Sequence, residues 1–400
     1  MIIYVSINWF LFLFIILQCA ICFYLVYPFI LYFICLFKGL KKDTGISSGY
    51  QADYAVIVTA YEQTDLIQSV VNSLLGVNYT NYLIYVVADN CDVSALLFSD
   101  PRVILLRPET TLASNVKSHF YAIDNFKRAH ERLTIIDSDN LVCVEYLNEL
   151  NKLFDQGFYA VQGVRKAKNL NTQYACLDEA GDIYYRFIDR KLLFEAGSSA
   201  SLAGSGMAFT TAIYKACLAD LQISGAGFDK ILQYELLKRR LTIALAEKAI
   251  VYDEKTAKSD QLVKQRARWI NTWFKFFVLG LKMNLTSLGK RNLNQFLFSL
   301  MLLRPPLFLL LMLCGIFCLL DIFIFPELLI GWIAGSGLFV FIFFNALNYF
   351  QADERIYKSL KNAPKFIYYQ LLALLKANKA NMLSVATKHE YQSKIEDIKP

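Results

Sequence analysis

The stretch LTIIDSDNLV, residues 133–142, sets an aliphatic, β-branched run directly against two carboxylates, Asp137 and Asp139, with one serine between them. A short apolar run that ends in polar residues is typical of a buried strand ending at the edge of a sheet. The two carboxylates then either solvate a turn or hold a hard divalent cation, which takes carboxylate and phosphate oxygens as ligands. Asp-Ser-Asp alone does not separate these two interpretations.

Three earlier runs have the same character, and helical segments alternate with them, one around residues 114–130. The runs are YAVIVTAY (54–61), YLIYVVADN (82–90) and RVILLRP (102–108). This alternation predicts an α/β fold, with a parallel sheet covered by helices between about residues 49 and 277. Ligands of such sheets bind beyond the carboxyl ends of the strands. Because polar residues follow three strands, at 59–62, 89–92 and 137–139, we expect one polar crevice, and a solvated turn explains one such end better than three.

The composition indicates a membrane protein, since 56% of the residues are hydrophobic and the mean hydropathy is +0.36. Residues 7–37 carry no charge and are long enough to cross a bilayer, with Pro28 a candidate kink. Residues 306–324 and 328–350 indicate a helical hairpin. Basic residues follow the first and last spans, which by the positive-inside rule places both flanks in the cytoplasm. These residues are Lys38, Lys41, Lys42, Arg355, Lys358, Lys361 and Lys365.

The remaining composition excludes several classes of site. The net charge of +7 suits contact with anionic lipid headgroups but is too diffuse to indicate nucleic-acid binding. Nine cysteines are scattered without zinc-ligand spacing, and the three histidines are too far apart to propose a site.

A second pattern, QRARW at 265–269, leads into a long aromatic stretch. On a helix, Gln265, Arg268 and Trp269 share one face through their i, i+3 and i+4 spacing. An arginine can grip a diphosphate, and an indole beside it can stack on a sugar ring. The alternative is an amphipathic interfacial helix in which the arginine and tryptophan are incidental.

These motifs, in this order, resemble the membrane-anchored, processive-type family 2 glycosyltransferases, relatives of cellulose, hyaluronan and poly-N-acetylglucosamine synthases. The resemblance rests on the N-terminal anchor, VTAYEQ, VADNCD, DSDN, AGSGMAF (203–209) and QRARW, and it covers most of the chain. It implies an α/β GT-A (Rossmann-like) cytosolic domain and hexosyltransferase activity with a UDP-sugar donor.

The resemblance also implies roles for individual residues. Thr59 and Glu62 would contact the nucleotide, and Asp89 the uracil or ribose. Asp137 and Asp139 would hold Mg²⁺ or Mn²⁺ and the diphosphate. The remaining implied residues are Gln265, Arg268 and Trp269, closing over the pyrophosphate and acceptor, and Ser205, which would position the acceptor unless it is only a tight-turn residue.

The general base is the element in which the sequence departs from these relatives. They carry an acidic pair at a helix start before QxxRW, whereas this chain reads GAGFDKILQYELLKRRL. We expect Asp229 at the helix entrance to deprotonate the acceptor hydroxyl, giving inversion at the anomeric carbon. An N-terminal helix cap is the alternative role for Asp229. Glu235 is the competing base, although its spacing favours ion pairs with Lys238 or Arg239.

The resulting expectation is an integral membrane protein with its catalytic domain in the cytoplasm, in a bacterial inner membrane. The segments are an anchor (1–42), a GT-A domain (43–277), an interfacial helix region (278–305), a transmembrane hairpin (306–350) and a cytosolic amphipathic tail (351–400). The acceptor would be a saccharide or a lipid-linked sugar. Three spans cannot enclose a polymer, so a homo-oligomer or membrane partner would complete any export channel. The rival hypothesis is a degenerate nucleotide-sugar-binding or scaffold subunit.

Overall fold

The computed structural model describes residues 2–39, 49–221, 223, 227–377, 391 and 395–397. Within them, eight strands form one sheet in the order β3-β2-β1-β4-β7-β6-β8-β5. The strands are β1 Tyr54–Tyr61, β2 Tyr82–Asp89, β3 Val103–Leu106, β4 Arg132–Asp137, β5 Leu141–Val142, β6 Ala160–Ala167, β7 Met207–Thr210 and β8 Ile243–Asp253.

Helices alternate with the strands and then follow them. In chain order they are α1 Ile2–Lys38, α2 Ile67–Leu75, α3 Asn115–Asp124, α4 Tyr146–Asp155, α5 Gln173–Tyr185, α6 Leu193–Glu195, α7 Thr211–Leu218, α8 Phe228–Lys238, α9 Ser259–Gly289, α10 Leu293–Leu303, α11 Leu307–Asp321, α12 Leu329–Tyr349, α13 Glu354–Ser359 and α14 Ala363–Lys376. A π-helix, Arg186–Leu192, joins α5 to α6.

The prediction of a parallel sheet is confirmed for β1 to β4 and for the pair β6–β8, and three antiparallel pairings depart from it. The strands β1, β2, β3 and β4 are mutually parallel, as the four apolar runs indicated. In contrast, β7 is antiparallel to both β4 and β6, and β5 is antiparallel to β8. Two residues in β5 and four in β7 are too few to show a period of their own, so neighbouring strands decide their direction.

The sheet is covered on both faces, which explains why its strands are nearly continuous apolar runs. Ile57 and Ile135 belong to a core on one face that also takes in Leu31 of α1 and Ile342 of α12. Val56 and Ile136 belong to the core on the opposite face, which is closed by α2 and α4. The N-terminal helix therefore packs directly on the sheet domain.

Two described helices are long and apolar enough to cross a membrane, within Leu11–Lys38 and Pro326–Tyr349. The first is one continuous helix with Pro28 inside it. The predicted third span is different in form: α10 and α11 bend by 69° at the break between them and make up a span only as a pair. With 15 residues, α11 alone is about 22 Å long, which is shorter than a hydrocarbon core of about 30 Å.

The apolar helices are joined to one another and to the sheet domain by polar contacts. Buried Asp321 accepts hydrogen bonds from the Gln18 amide at 3.0 Å and from the Trp332 indole at 2.8 Å. At the other end of α1, the Lys38 ammonium donates to the Ala196 carbonyl at 2.7 Å. Lys41 and Lys42, which the charge argument also used, lie outside the described residues.

The long helix α9 runs without a break from QRARW through the predicted domain boundary at 277. Beyond that motif it leaves a stripe of large apolar side chains exposed at helical spacing. These are Phe274, Phe277, Val278, Leu281, Leu285 and Leu288. The stripe has the form of the predicted interfacial face, while the opposite face of α9 packs on α10 and α14.

Candidate active site

The ends of β1 and β4 bring the first pair of predicted site residues together. In the parallel pairing of these strands Thr59 is the direct partner of Asp137. Paired residues on neighbouring strands lie about 5 Å apart and project from the same face of the sheet. Both side chains are half-buried at the strand ends.

Asp139 lies deeper and is held by two elements. Its Oδ2 accepts the backbone N–H of Glu254 at 3.3 Å, just beyond the end of β8. Its main-chain carbonyl accepts the buried Lys168 ammonium at 2.8 Å. The Asp139 residue is 5% exposed, so its carboxylate is oriented by the protein interior rather than solvated in a surface turn.

The same short segment that holds Asp139 also holds the QRARW motif. We call residues 254–256 the connector. Thr256 donates its hydroxyl to Gln265 Oε1 at 3.0 Å, and Glu254 is the residue that binds Asp139. Residues two positions apart span at most about 7 Å of backbone. The second aspartate and the glutamine are therefore neighbours across one connector, although 126 sequence positions separate them.

Arg268 and Trp269 follow Gln265 within α9, as the spacing predicted. Arg268 is partly buried, and burial lowers the pKa of its guanidinium. The Trp269 side chain is 49% exposed, and the Arg266 guanidinium lies over its ring at 4.2 Å. Arg266 also forms a buried ion pair with Asp178. Arg266 was not among the predicted site residues, yet it packs on the indole and links α9 to α5.

The glycine loop at 203–206 closes one side of the crevice. Ser205 is fully buried, and its hydroxyl accepts the backbone N–H of Asp137 at 3.1 Å. Gly206 adopts a φ of +67°, and a Cβ there would approach Val251 Cγ2 to 2.9 Å. Only glycine therefore suits this close approach. Ser205 orients the strand end that carries Asp137, and its predicted role in positioning the acceptor stays a prediction.

Asp229 lies in the first turn of α8, whose start packs against α9. Gly227 precedes the helix, and a Cβ there would meet Thr272 Cγ2 at 2.8 Å, one helical turn beyond Arg268. One turn later in α8, buried Gln233 accepts the backbone N–H of Leu202 from the start of the glycine loop. Asp229 shares the i, i+4 face with Gln233 and is therefore on the glycine-loop side of the helix.

Glu235 is occupied elsewhere. It pairs with Lys238 at 3.3 Å and forms a second ion pair with Arg239, as the helical spacing indicated. Asp229 has only its sequence neighbour Lys230 as an ion-pair partner among the described residues, at 3.4 Å. The structure thus leaves Asp229, rather than Glu235, near the loop and the QRARW helix.

A pocket of about 700 Å³ lies beyond the ends of β2 and β3. Asp89, which precedes the lining residue Asn90, is 1% exposed, and its two carboxylate oxygens accept the backbone N–H groups of Leu112 and Ala113, each at 2.8 Å. Asp89 thus fastens the loop that closes the pocket. Its lining residues are Asn90, Cys91, Asp92, Arg107, Pro108, Glu109 and Thr111.

Strained backbone marks the mouth of this pocket. Glu62 and Asn90 both have positive φ, +61° and +53°, directly after β1 and β2. They are joined by a hydrogen bond from the Asn90 amide to the Glu62 carboxylate at 3.4 Å. Non-glycine residues in this conformation cost free energy and cluster at functional sites. The exposed Glu62 carboxylate therefore stands at the pocket's edge, next to the loop that Asp89 holds.

Behind the crevice is a buried ion network that sequence analysis did not predict. Lys255 of the connector lies 2.8 Å from Asp182 and 3.0 Å from Glu179, both on α5. Burial opposes these charges, but the opposite partners outweigh it and hold the pKa of Asp182 well below its ordinary value. The network consists of Arg165, Arg186, Arg190 and Lys255 with Glu179, Asp182 and Asp253.

Among the described residues no group of three or more histidine, cysteine, aspartate or glutamate side chains could hold a metal by itself. The two aspartates at 137 and 139 are the acidic pair at the crevice. Mg²⁺ and Mn²⁺ commonly take one or two protein carboxylates and complete their shell with substrate phosphates and water. A two-carboxylate site on an orienting scaffold fits that requirement.

The chain was compared with known proteins. A family model described as glycosyltransferase like family 2 matches residues 52–272. No curated protein sequence matches the chain. The fold is similar to that of the mannosyltransferase PcManGT from Pyrobaculum calidifontis, solved with GDP-Man and Mn²⁺, at 15% identity and a TM-score of 0.55, over 90% of this chain and 98% of that one.

A second similar structure is S. aureus TarS 1–349 with UDP-GlcNAc, at 15% identity and a TM-score of 0.42, over 82% of this chain and 90% of that one. The family match extends from the start of β1 into α9 and so includes every strand and motif of the crevice. With more than half of its length matched, the chain belongs to the family 2 glycosyltransferases and has their α/β GT-A fold.

Proposed function

We propose that this glycosyltransferase moves a sugar from a UDP-sugar or related nucleotide-sugar to a saccharide or lipid-linked acceptor, with inversion, at the cytoplasmic face of a membrane. The observation that carries the proposal is the connector at 254–256. Through it, Asp139, just after β4, and Gln265, at the start of the QRARW motif, are held by the same three-residue segment. A donor diphosphate between them would meet carboxylates on one side and Arg268 on the other.

The donor is held in two parts. Its nucleoside occupies the pocket beyond β2 and β3, where Glu62 stands at the edge and Asp89 fastens the closing loop. Its diphosphate extends toward Thr59 and Asp137, which are partners across β1 and β4. Arg268 neutralises charge on the diphosphate, and Trp269, half-exposed beside it, stacks on the acceptor sugar.

Asp229 is the general base of this proposal. At the entrance of α8 it faces the glycine loop, from which an acceptor hydroxyl would attack the anomeric carbon. The carboxylate takes the hydroxyl proton as the new C–O bond forms and the bond to the diphosphate oxygen breaks, so that an α-linked donor gives a β-linked product. Ser205 acts as a positioning residue because its hydroxyl holds the Asp137 backbone.

A divalent cation, Mg²⁺ or Mn²⁺, would be held by Asp137 and Asp139 and would supply charge neutralisation for the departing diphosphate. Asp139 suits this role because the Glu254 amide and the Lys168 ammonium fix its orientation. Asp137, half-buried at the strand end, is the more accessible of the two ligands.

The acceptor side points to a membrane. The two long apolar helices, the bent pair α10–α11 and the exposed stripe on α9 support a crevice that lies beside a lipid surface. We infer a cytoplasmic site on a bacterial inner membrane, with both basic flanks on the same side. A homo-oligomer or a membrane partner would be required for export of a polymer.

The test is release of nucleoside diphosphate by the full chain in membranes or detergent, with Mn²⁺ and a panel of UDP- and GDP-sugars. We expect release from at least one donor, and loss of that release in Asp137→Ala. Asp124→Asn is the matched control, because Asp124 is an exposed carboxylate at the end of α3, away from the crevice. No release above the Asp137→Ala background with any donor would instead support a degenerate nucleotide-sugar-binding or scaffold subunit.

A further inference from the structure

The buried ion network contains one more basic than acidic side chain. Among the described residues that it links, four are basic and three are acidic. An uncompensated charge in the interior is costly, so buried ionic groups are normally matched. The longest ion-pair distance in the network belongs to Arg190.

Arg190 has the weakest pairing in the network. Its Nη1 lies 3.8 Å from Asp182 Oδ1, which is beyond hydrogen-bond distance. Asp182 forms shorter ion pairs with Lys255, at 2.8 Å, and with Arg186, at 3.5 Å. The neighbouring carboxylate of Asp189 pairs through its Oδ2 with Arg304 at 2.8 Å and has no hydrogen bond to Arg190 among the described residues.

Two guanidinium nitrogens of Arg190 therefore lack a hydrogen-bond partner among the described residues. Arg190 is 7% exposed, yet its Nε and Nη1 have no hydrogen-bond partner within the described part of the chain. Burial is the main cause that lowers the pKa of this guanidinium, and the adjacent charges of Arg186 and Arg165 add to that effect, while Asp182 and Asp189 act against them. A buried polar group without a partner requires an explanation, and a ligand is one.

Arg190 is also in the right place for a ligand of the crevice. It lies on the π-helix, an irregularity that is frequent at functional sites. The adjacent Asp189 carbonyl accepts the Ser201 backbone N–H, and Arg165 donates to the Ala203 carbonyl at 2.7 Å. The two arginines therefore flank the stretch that leads to Ser205 and Asp137.

The π-helix that carries Arg190 also lies next to the apolar helices. Cys35 of α1 donates to the Leu192 carbonyl at the end of the π-helix. Arg304, the partner of Asp189, lies at the bend between α10 and α11. A group bound at Arg190 would thus be level with the junction of the cytosolic domain and the membrane helices, where lipid headgroups reside.

We propose that Arg190, with Arg165 beside it, forms an anion subsite that receives the phosphate of a lipid-phosphate acceptor. A phosphate offers several strong acceptor oxygens, which match the guanidinium donors, and its negative charge offsets the excess positive charge of the network. This inference rests on the proposed glycosyl transfer, because it names the acceptor class of that same crevice.

The experiment uses thermal unfolding of the full chain in detergent, without donor, and with dodecyl phosphate, dodecanol or inorganic phosphate as probes. For the unmodified chain we expect a concentration-dependent rise in Tm with dodecyl phosphate, a smaller one with inorganic phosphate and none specific to dodecanol. In Arg190→Gln the apparent Kd for dodecyl phosphate should weaken at least about tenfold, because charge-assisted hydrogen bonds are lost. Arg190→Lys should retain part of the response.

The ligand-free Tm separates a binding role from a structural one. Arg190→Gln should melt at or above the temperature of the unmodified chain, because it removes a poorly compensated buried charge. The matched variant Arg186→Gln, one turn earlier on the π-helix, should melt lower, because Glu179 loses its 2.9 Å partner. If Arg190→Gln is instead destabilised as much as Arg186→Gln, the residue is structural and the proposal is overturned.

Further outcomes also overturn it. The first is an equal rise in Tm with dodecyl phosphate and with dodecanol. The second is a rise in Tm with inorganic phosphate as large as that with dodecyl phosphate. The third is loss of UDP and Mn²⁺ binding in Arg190→Gln, which would assign the arginine to the donor diphosphate. Because these measurements need no turnover, they remain decisive even if no donor releases its nucleoside diphosphate, the result that would refute the proposed function.

Discussion

Replacing Asp89 by asparagine tests how the nucleotide pocket is held together. The carboxylate accepts two backbone N–H groups, from Leu112 and Ala113, at 2.8 Å each. The asparagine side-chain carbonyl can accept a hydrogen bond from one of these backbone N–H groups. Its NH₂ group, a donor, would then face the other backbone N–H, which is also a donor. The loss of one charge-assisted bond together with an unpaired donor corresponds to about 2–4 kcal/mol.

This loss of free energy should appear either as a lower Tm or as a higher donor KM. If the loop stays in place, the folded state is destabilised and Tm should fall by roughly 5–10 °C. If the loop releases, the donor must reorder it on binding, and the donor KM should rise at least about tenfold, since 1.4 kcal/mol is a factor of ten. Thermal unfolding and initial rates of nucleoside diphosphate release, compared with Asp124→Asn, measure both. Unchanged Tm together with unchanged KM would refute the assignment of Asp89 as the fastening residue.

Two further predictions concern the base and the pH dependence. Asp229→Asn should lower kcat at least about a hundredfold with Tm nearly unchanged, as expected for loss of a general base. Glu235→Gln should retain most turnover, because Glu235 is an ion-pair residue. The reverse pattern of kcat values would make Glu235 the base. Burial lowers the pKa of His119 to about 3, so protons bind the unfolded chain preferentially below about pH 6.5, and stability should fall by about 2 kcal/mol between pH 6.5 and 5. Unfolding measured against pH should show this slope flattened in His119→Gln, and an equal slope in both proteins would contradict the assignment.

Much of the fold followed from sequence because its first four strands are continuous apolar runs that end in polar residues. The pairing of Thr59 with Asp137 is a direct consequence, since parallel strands align their carboxyl ends. The QRARW motif likewise lies on a helix, as its spacing required. Such features depend on local pattern and on one general rule of sheet geometry, both of which can be read from a single sequence.

The parts that sequence did not predict depend on contacts between distant segments. The strand β7 is four residues long and takes its direction from β4 and β6 on either side. The connector at 254–256 acquires its role only when β8 places it between Asp139 and Gln265.

The ion network is hidden for the same reason. Arg165, Asp182 and Lys255 come from β6, α5 and the connector, and nothing in their local sequence distinguishes them from solvated surface charges. One signal was available in hindsight: residues 178–191 carry seven charged side chains within an otherwise apolar helical pattern. A helix that is both charged and buried must pair its charges internally.

The most direct measurement of the central claim is an experimental structure of the full chain with a nucleotide-sugar analogue and Mn²⁺, located by its anomalous scattering. The account predicts one strong peak about 2.2 Å from carboxylate oxygens of Asp137 or Asp139, the distance typical of a hard divalent cation bound to oxygen. The donor phosphates should complete the shell, with Gln265 and Arg268 lining the same pocket. A peak bound away from both aspartates, or a diphosphate seated without any ion beside them, would contradict it.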